Sequence, residues 1–297
     1  MAVVCNNLTK KYRSLYAVNN LTVQFKENSI TGLIGRNGAG KTTLLQMIAG
    51  LTTPTSGEIR VFGQNPKNNL FVSANSVFID DQIVFPNELT LQEILKAGKM
   101  FYQNWDEDLA NKLLKYFSLY PDQYHTELSK GKRSTFNMIF GLATKSALTI
   151  FDEPTTGMDY SVRQDFYRAL LKDYLNHPRT IILSSHLLNE IEDILEEIVL
   201  IKNGELCLRD SVENLKEYAI GLTGNLDLLN EWTSGREIIG RKIDSSNSAH
   251  YVVKDDYSNE EKMSMERLGI KISNVSTPDL TVLLTSPNEG GIDDVFS

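Results

Sequence analysis

The chain has 297 residues, enough for two domains or for one large domain with an appendage. Hydrophobic residues make up 41% and charged residues 23%, an ordinary globular balance, and no apolar run is long enough to span a bilayer. A net charge of −8 with no block of lysine and arginine argues against a nucleic-acid or anionic-lipid surface.

The opening residues, Met1-Ala2-Val3-Val4-Cys5-Asn6, have no basic stretch followed by an apolar core, so a cytoplasmic chain without a signal peptide is expected. Cys5 and Cys207 form no metal or redox motif, which suits a reducing compartment. Val3, Leu8, Val18, Leu21, Val23 and Phe25 lie in short apolar runs broken by polar turns, so the first segment reads as β-rich. Residues 29–34 then read as a short buried strand, and residues 43–49 as a helix.

Between that strand and helix stands Gly35-Arg36-Asn37-Gly38-Ala39-Gly40-Lys41-Thr42, a complete G-x-x-x-x-G-K-[ST] phosphate-binding loop. Its glycines let the backbone curl so that several N–H groups surround phosphate oxygens. Lys41 supplies a point charge to the outer phosphates, and the Thr42 hydroxyl can join the shell of a magnesium ion. The following helix would point its N-terminus at the same phosphates.

Farther along, residues 54–63 read as a turn and a strand, and residues 76–79 as another strand. Helical spacing follows at Leu91, Ile94 and Leu95, and again over residues 105–117 with Asp106 as N-cap. Phe136, Ile139, Phe140 and Ala143 share one face of a helix over 134–143. Residues 147–151 form a compact apolar strand, and Val162, Phe166, Leu170 and Tyr174 mark another helix. A strand over 180–184 stops before His186, and 198–201 should pair with 205–208 across Asn203-Gly204. Apolar strands alternating with amphipathic helices predict an α/β domain over 1–215 with a mostly parallel sheet. The remainder, 216–297, shows strand-like pieces at 237–239, 251–253, 269–272 and 280–284, read as a small α+β appendage with a loose tail from about 286.

Three further elements select among phosphate-loop proteins. Asp152 and Glu153 end an apolar strand, where one carboxylate can hold magnesium and the next can polarise an attacking water. The residues after them run Pro154-Thr155-Thr156-Gly157-Met158-Asp159. Leu128-Ser129-Lys130-Gly131-Lys132 opens a helix, so Ser129 and Gly131 could offer a hydroxyl and bare N–H groups to an anion, although a Ser N-cap alone is commonplace. His186 follows Ser184-Ser185, placed to bond a phosphate or the catalytic carboxylate.

In this order the pieces resemble the ATP-binding-cassette (ABC) family, from about Val3 to Asp210. The Leu-Ser-x-Gly run separates that family from other phosphate-loop ATPases. The resemblance implies a P-loop NTPase fold: a RecA-like core, an antiparallel β subdomain and an α-helical subdomain at about 86–145. It implies ATP and Mg2+ as cofactors, held by residues 35–43, the last being Thr43. Asp152 would be the magnesium carboxylate, Glu153 the catalytic base, Asp159 the D-loop aspartate and His186 the switch histidine. Ser129 and Gly131 would touch the γ-phosphate bound on a second subunit, and Tyr12, in Lys10-Lys11-Tyr12-Arg13, would stack on adenine.

The sequence departs from that pattern twice. Lys130 and Lys132 replace the third and fifth residues of the usual Leu-Ser-Gly-Gly-Gln signature. The magnesium-contacting Q-loop glutamine falls in an acidic segment, where Asp80, Asp81 or Gln82 could take its place. These departures, with Phe101-Tyr102-Gln103-Asn104-Trp105-Asp106 and Ser184-Ser185-His186, are similar to a bacterial YtrB-like subgroup that includes Pmt-type peptide exporters. The expected partners are a transmembrane permease subunit and a second cassette, as homo- or heterodimer, with no nucleic acid, and the expected place is the inner face of the cell membrane. A weakly hydrolysing regulatory or immunity cassette, and a soluble cassette acting on ribosomes or DNA, are the alternatives.

Overall fold

The computed structural model describes residues 1–245 and 247–286 and divides the chain into two compact units, Met1–Arg209 and the residues from Asp210 on. In the first unit, strands β1 (Val3–Tyr12), β2 (Leu15–Phe25) and β4 (Ser56–Val61) form an antiparallel sheet ordered β2-β1-β4. Between β2 and β4 the chain passes through β3 (Ile30–Ile34) and α1 (Lys41–Ile48). It then continues as α2 (Leu70–Asn75), β5 (Ser76–Ile79), α3 (Leu91–Phe101), α4 (Glu107–Tyr116) and α5 (Lys130–Ala143). Next come β6 (Leu148–Asp152), α6 (Tyr160–Asn176), β7 (Thr180–Ser185), β8 (Glu197–Lys202) and β9 (Glu205–Ser211).

These strands build a six-stranded sheet in the order β5-β6-β7-β3-β8-β9. The pairs β5–β6, β6–β7, β7–β3 and β3–β8 are all parallel. Every residue of β3, β6 and β7 is buried, which is why these strands read as continuous apolar runs and not as alternating ones. β8 turns into β9 through Asn203 and Gly204, at φ 52 and 81, the paired positive φ of a tight hairpin turn. The core packs Leu44, Leu45, Met47 and Ile48 of α1 between Val18, Leu21 and Val23 of β2 and Ile150, Ile182 and Val199 of the central sheet.

Local sequence explains the helix starts. Thr90 and Glu93 make a reciprocal capping box at α3, Asp106 accepts from the Leu109 N–H at 2.9 Å, and Ser129 caps α5. Asp106 caps α4 as expected, so Trp105 stands before the helix, with its ring against Phe140 at 5.4 Å.

The second unit holds α7 (Val212–Lys216), β10 (Ala219–Asn225), α8 (Leu226–Trp232), β11 (Ile238–Ser245), β12 (Ser248–Lys254), α9 (Asn259–Arg267), β13 (Lys271–Asn274) and α10 (Thr277–Thr285). Its sheet runs β11-β12-β10-β13, antiparallel throughout, over a core of Leu222, Leu229, Tyr251, Val253 and Met265. Residues 280–284, expected as a strand, are helical instead. Ser276 caps the turn through the Asp279 N–H at 3.2 Å, Pro278 sits in the first turn where its missing N–H costs nothing, and Leu280, Leu283 and Leu284 keep helical spacing. The expected tail beyond Ser286 lies outside the described residues.

Candidate nucleotide site

The central sheet brings three strand ends together. Asp152 at the end of β6 pairs in register with Ser184 of β7, and Ile34 at the end of β3 pairs with Ser185. The loop 35–40 leaves from this edge, at the carboxyl ends of parallel strands where open α/β sheets bind ligands. Gly40 has φ 103, and a Cβ on it would lie 2.2 Å from the Ala17 carbonyl oxygen. Both facts require glycine at the start of α1, where no side chain caps the free N–H groups. Arg36, Asn37 and Gly38 form the exposed rim of the loop.

A cleft of about 620 Å³ opens over this edge, lined among others by Asn37, Thr42, Asp80, Asp152, Glu153 and His186. Asp81 and Gln82 line it too, so all three candidates for the Q-loop position face the same space. Gln46 and Thr156, not singled out from sequence, also line it; Gln46 stands one helical turn beyond Thr42.

Glu153 is the centre of the polar network. Lys41 Nζ lies 3.1 Å from its Oε1, and His186 Nδ1 lies 2.7 Å from its Oε2. The carboxylate can only accept, so the bonded imidazole nitrogen carries the proton. Lys41, 6% exposed, also donates to the Gly35 carbonyl at 2.7 Å. The Glu153 backbone sits at φ 46, a conformation that costs a non-glycine residue about 1–3 kcal/mol. Three bonds hold it there: its N–H donates to Ser184 Oγ at 2.9 Å, and its C=O accepts from the Thr156 hydroxyl at 2.8 Å and from the Thr156 N–H at 3.3 Å.

Ser184 Oγ in turn donates to Asp152 Oδ1 at 2.5 Å. One buried hydroxyl therefore aligns both acidic residues. From sequence Ser184 is only part of the Ser184-Ser185 pair that closes an apolar strand before His186, with no role of its own; two hydroxyl residues at the end of such a run were the available signal. Burial pushes the Asp80 carboxyl up, and the charges of Asp152 and Asp81 push the same way; the Gln82 N–H at 3.1 Å opposes them.

Asn137 was likewise missed. It is 1% exposed on α5, donates to the Asp80 carbonyl at 3.3 Å, and bonds His125 Nε2 through its Oδ1 at 2.8 Å. Phe85 packs its ring on His125, Phe136 and Phe140 at 5.0, 5.8 and 5.3 Å. The segment after β5 is thus pinned to α5 and to the turn before it.

The remaining predicted residues do not line this cleft. Ser129 accepts from the Lys132 N–H at 3.4 Å as N-cap of α5, and a Cβ on Gly131 would lie 2.5 Å from the Gly157 carbonyl oxygen. Asp159 caps α6, where the Val162 N–H and the Ser161 hydroxyl hold its carboxyl low. Tyr12 ends β1, and Lys10 Nζ lies 5.0 Å from the centre of its ring. Thr43 lies in the first turn of α1 beside Thr42.

Comparison with known proteins agrees with this arrangement. The ABC transporter family profile matches residues 18–156. The ABC transporter ATP-binding protein YcbN of Bacillus subtilis is 32% identical over 221 residues, covering 72% of this chain and 71% of that protein. The chain belongs to the ABC transporter ATP-binding proteins. The cassette is also 27% identical to YtrB of Bacillus subtilis over 72% of its own length and 73% of the relative. To the bacitracin transport ATP-binding protein BcrA of Bacillus licheniformis it is 31% identical, over 71% and 70%. Among solved structures, an ATP-binding subunit of an ABC transporter superposes with TM-score 0.65 at 24% identity, over 73% of this chain and 92% of the other. The dimeric bacterial cassette MJ0796 gives 0.63 at 22% identity, over 71% and 98%. The fold is therefore the ABC ATPase fold, and the cassette is an ATPase that binds ATP. Among the described residues no helix is long and apolar enough to cross a membrane.

Proposed function

We propose that this cassette hydrolyses ATP to drive a separate transmembrane permease subunit of a bacterial exporter of peptides or drugs. It would act as one of two cassettes closing around ATP, at the inner face of the cell membrane. The observation that carries the hydrolytic reading is Glu153, strained at φ 46 and held between Lys41 at 3.1 Å and His186 at 2.7 Å. Export rests on the resemblance to the YtrB-like subgroup and on the likeness to the bacitracin transport protein. A sulfate/thiosulfate import ATP-binding relative from Mesostigma viride is also 30% identical, so likeness in the cassette does not by itself set the direction of transport.

In this reading the loop N–H groups and Lys41 take the phosphates, and the phosphate oxygens replace the Gly35 carbonyl as partner of the ammonium. Thr42, Asp152 and one of Asp80, Asp81 and Gln82 would offer oxygen donors at the cleft, a set that suits magnesium. Bound there, the ion would neutralise charge between the outer phosphates. Glu153 accepts the proton of the attacking water as its oxygen bonds to the γ-phosphorus and the bond to ADP breaks. His186 keeps that carboxylate turned toward the water through its Nδ1–H. Ser129, Gly131 and Asp159, away from this cleft, would meet the ATP held by the second cassette.

Glu153→Gln tests this directly. The amide keeps the shape but cannot take the proton, so turnover should fall by about 10²- to 10³-fold while ATP still binds. Wild-type turnover in that variant would remove Glu153 from the role of base.

A further inference from the structure

The two places where the chain departs from the family pattern meet in space. Lys130 Nζ, from the signature turn, lies 3.5 Å from Asp81 Oδ2, from the acidic segment after β5. Asp81 lines the cleft together with Thr42, Asp152 and Glu153, whereas Lys130 is the first residue of α5. The lysine stem is guided across the gap: a Cβ on Gly157 would lie 3.0 Å from Lys130 Cγ and 3.3 Å from its Cδ, so the methylenes run directly over that turn. The same turn is tied to α5 by Ser134 Oγ, which donates to the Thr156 carbonyl at 2.8 Å.

Electrostatics favours such a partner. The first turn of α5 carries Lys130, Lys132 and Arg133 and no acidic residue, so three cations crowd the positive end of the helix dipole. Asp81 supplies the opposite charge from another segment of the chain. On the other side of the pair, Asp80, Asp81, Asp152 and Glu153 place four carboxylates at one cleft. Lys130 relieves that crowding from outside. An acid and a base at these two positions are thus a single compensated feature.

We propose that Asp81 and Lys130 form a positioning pair that transmits occupancy of the nucleotide cleft to the Ser129–Lys132 turn. The inference rests on the nucleotide site described above. The pair suits transmission because it is labile: the side chains are 31% and 62% exposed, and such pairs contribute little to static stability. When bound nucleotide alters the charge around Asp81, Lys130 loses or gains its partner, and the first turn of α5 loosens or tightens with it.

The test is hydrogen exchange of the full chain with and without ADP and magnesium, at a concentration where light scattering shows a monomer. ADP is used at saturation for each variant, verified by a fluorescent-nucleotide binding curve. In the wild type, exchange of the amides at 129–133 should change by about two- to five-fold, the range an exposed ion pair can carry. Lys130→Gln should abolish that change while still binding ADP, and Lys130→Arg should keep it. Asp81→Asn should abolish it as well, and adding Lys130→Gln to Asp81→Asn should have no further effect. A wild-type response in Lys130→Gln would overturn the proposal, as would ADP binding to the wild type with no change at 129–133. Failure of the wild type to bind ADP would overturn the site assignment itself, and this inference with it.

Discussion

Asn137 gives the sharpest test of how the segment after β5 is held. Asn137→Ala removes two bonds at once: Oδ1 to His125 Nε2 at 2.8 Å, and Nδ2 to the Asp80 carbonyl at 3.3 Å. His125 is 4% exposed, so its N–H would be left buried without an acceptor, at a cost of about 1–3 kcal/mol. The Asp80 carbonyl is only partly buried and its bond is long, so its loss adds less, about 0.5 kcal/mol. The sum is about 1.5–3.5 kcal/mol. For a unit of 209 residues that corresponds to a fall of about 3–14 °C in the melting temperature of the first unit. Differential scanning calorimetry of the full chain resolves it. The segment carrying Asp80 and Asp81 should also become more susceptible to proteolysis. A fall under about 2 °C would show that Phe85 alone anchors the segment and that the Asn137 network is incidental.

Burial holds the His125 imidazole below its ordinary value, so between that lowered value and 6.5 the unfolded chain binds a proton that the folded chain does not. Stability should therefore fall as pH drops below about 6.5, and His125→Gln should flatten that part of the melting-temperature profile; an unchanged profile refutes it. Gly40→Ala would force a methyl within 2.2 Å of the Ala17 carbonyl at φ 103, so ATP affinity by fluorescent-nucleotide titration should drop by at least about ten-fold, and wild-type affinity would refute the close approach. Burial pushes the Cys5 thiol up to about 12, whereas Cys207 is exposed. At pH 8, then, a thiol reagent should modify one cysteine quickly and the second only after denaturant is added; two fast thiols would contradict the packing of β1.

Much of the cassette was legible from local chemistry. The phosphate loop carries its own glycines, lysine and threonine at fixed spacing, so its conformation and ligand class are encoded within eight residues. The strands β3, β6, β7 and β8 were readable because burial on both faces makes them uninterrupted apolar runs. In the second unit the same cue failed: residues 280–284 have the β-leaning composition of a strand, but a capping serine, Ser276, and Pro278 in the first turn decided for helix. Short amphipathic pieces such as α8 and α9 gave too little periodicity to be singled out.

The site divides along the same line. Sequence alone could say that Lys41, Asp152, Glu153 and His186 are of the right types in the right order, because each stands at the end of a strand or in a loop that announces itself. It could not say that Ser184 Oγ joins Asp152 to Glu153, that Asn137 holds Asp80, or that Lys130 reaches Asp81, since those partners are 31–32, 57 and 49 residues apart. A hydrogen bond or ion pair acts over a few ångströms, and only the register of a parallel sheet and the packing of α5 bring such distant residues within that range.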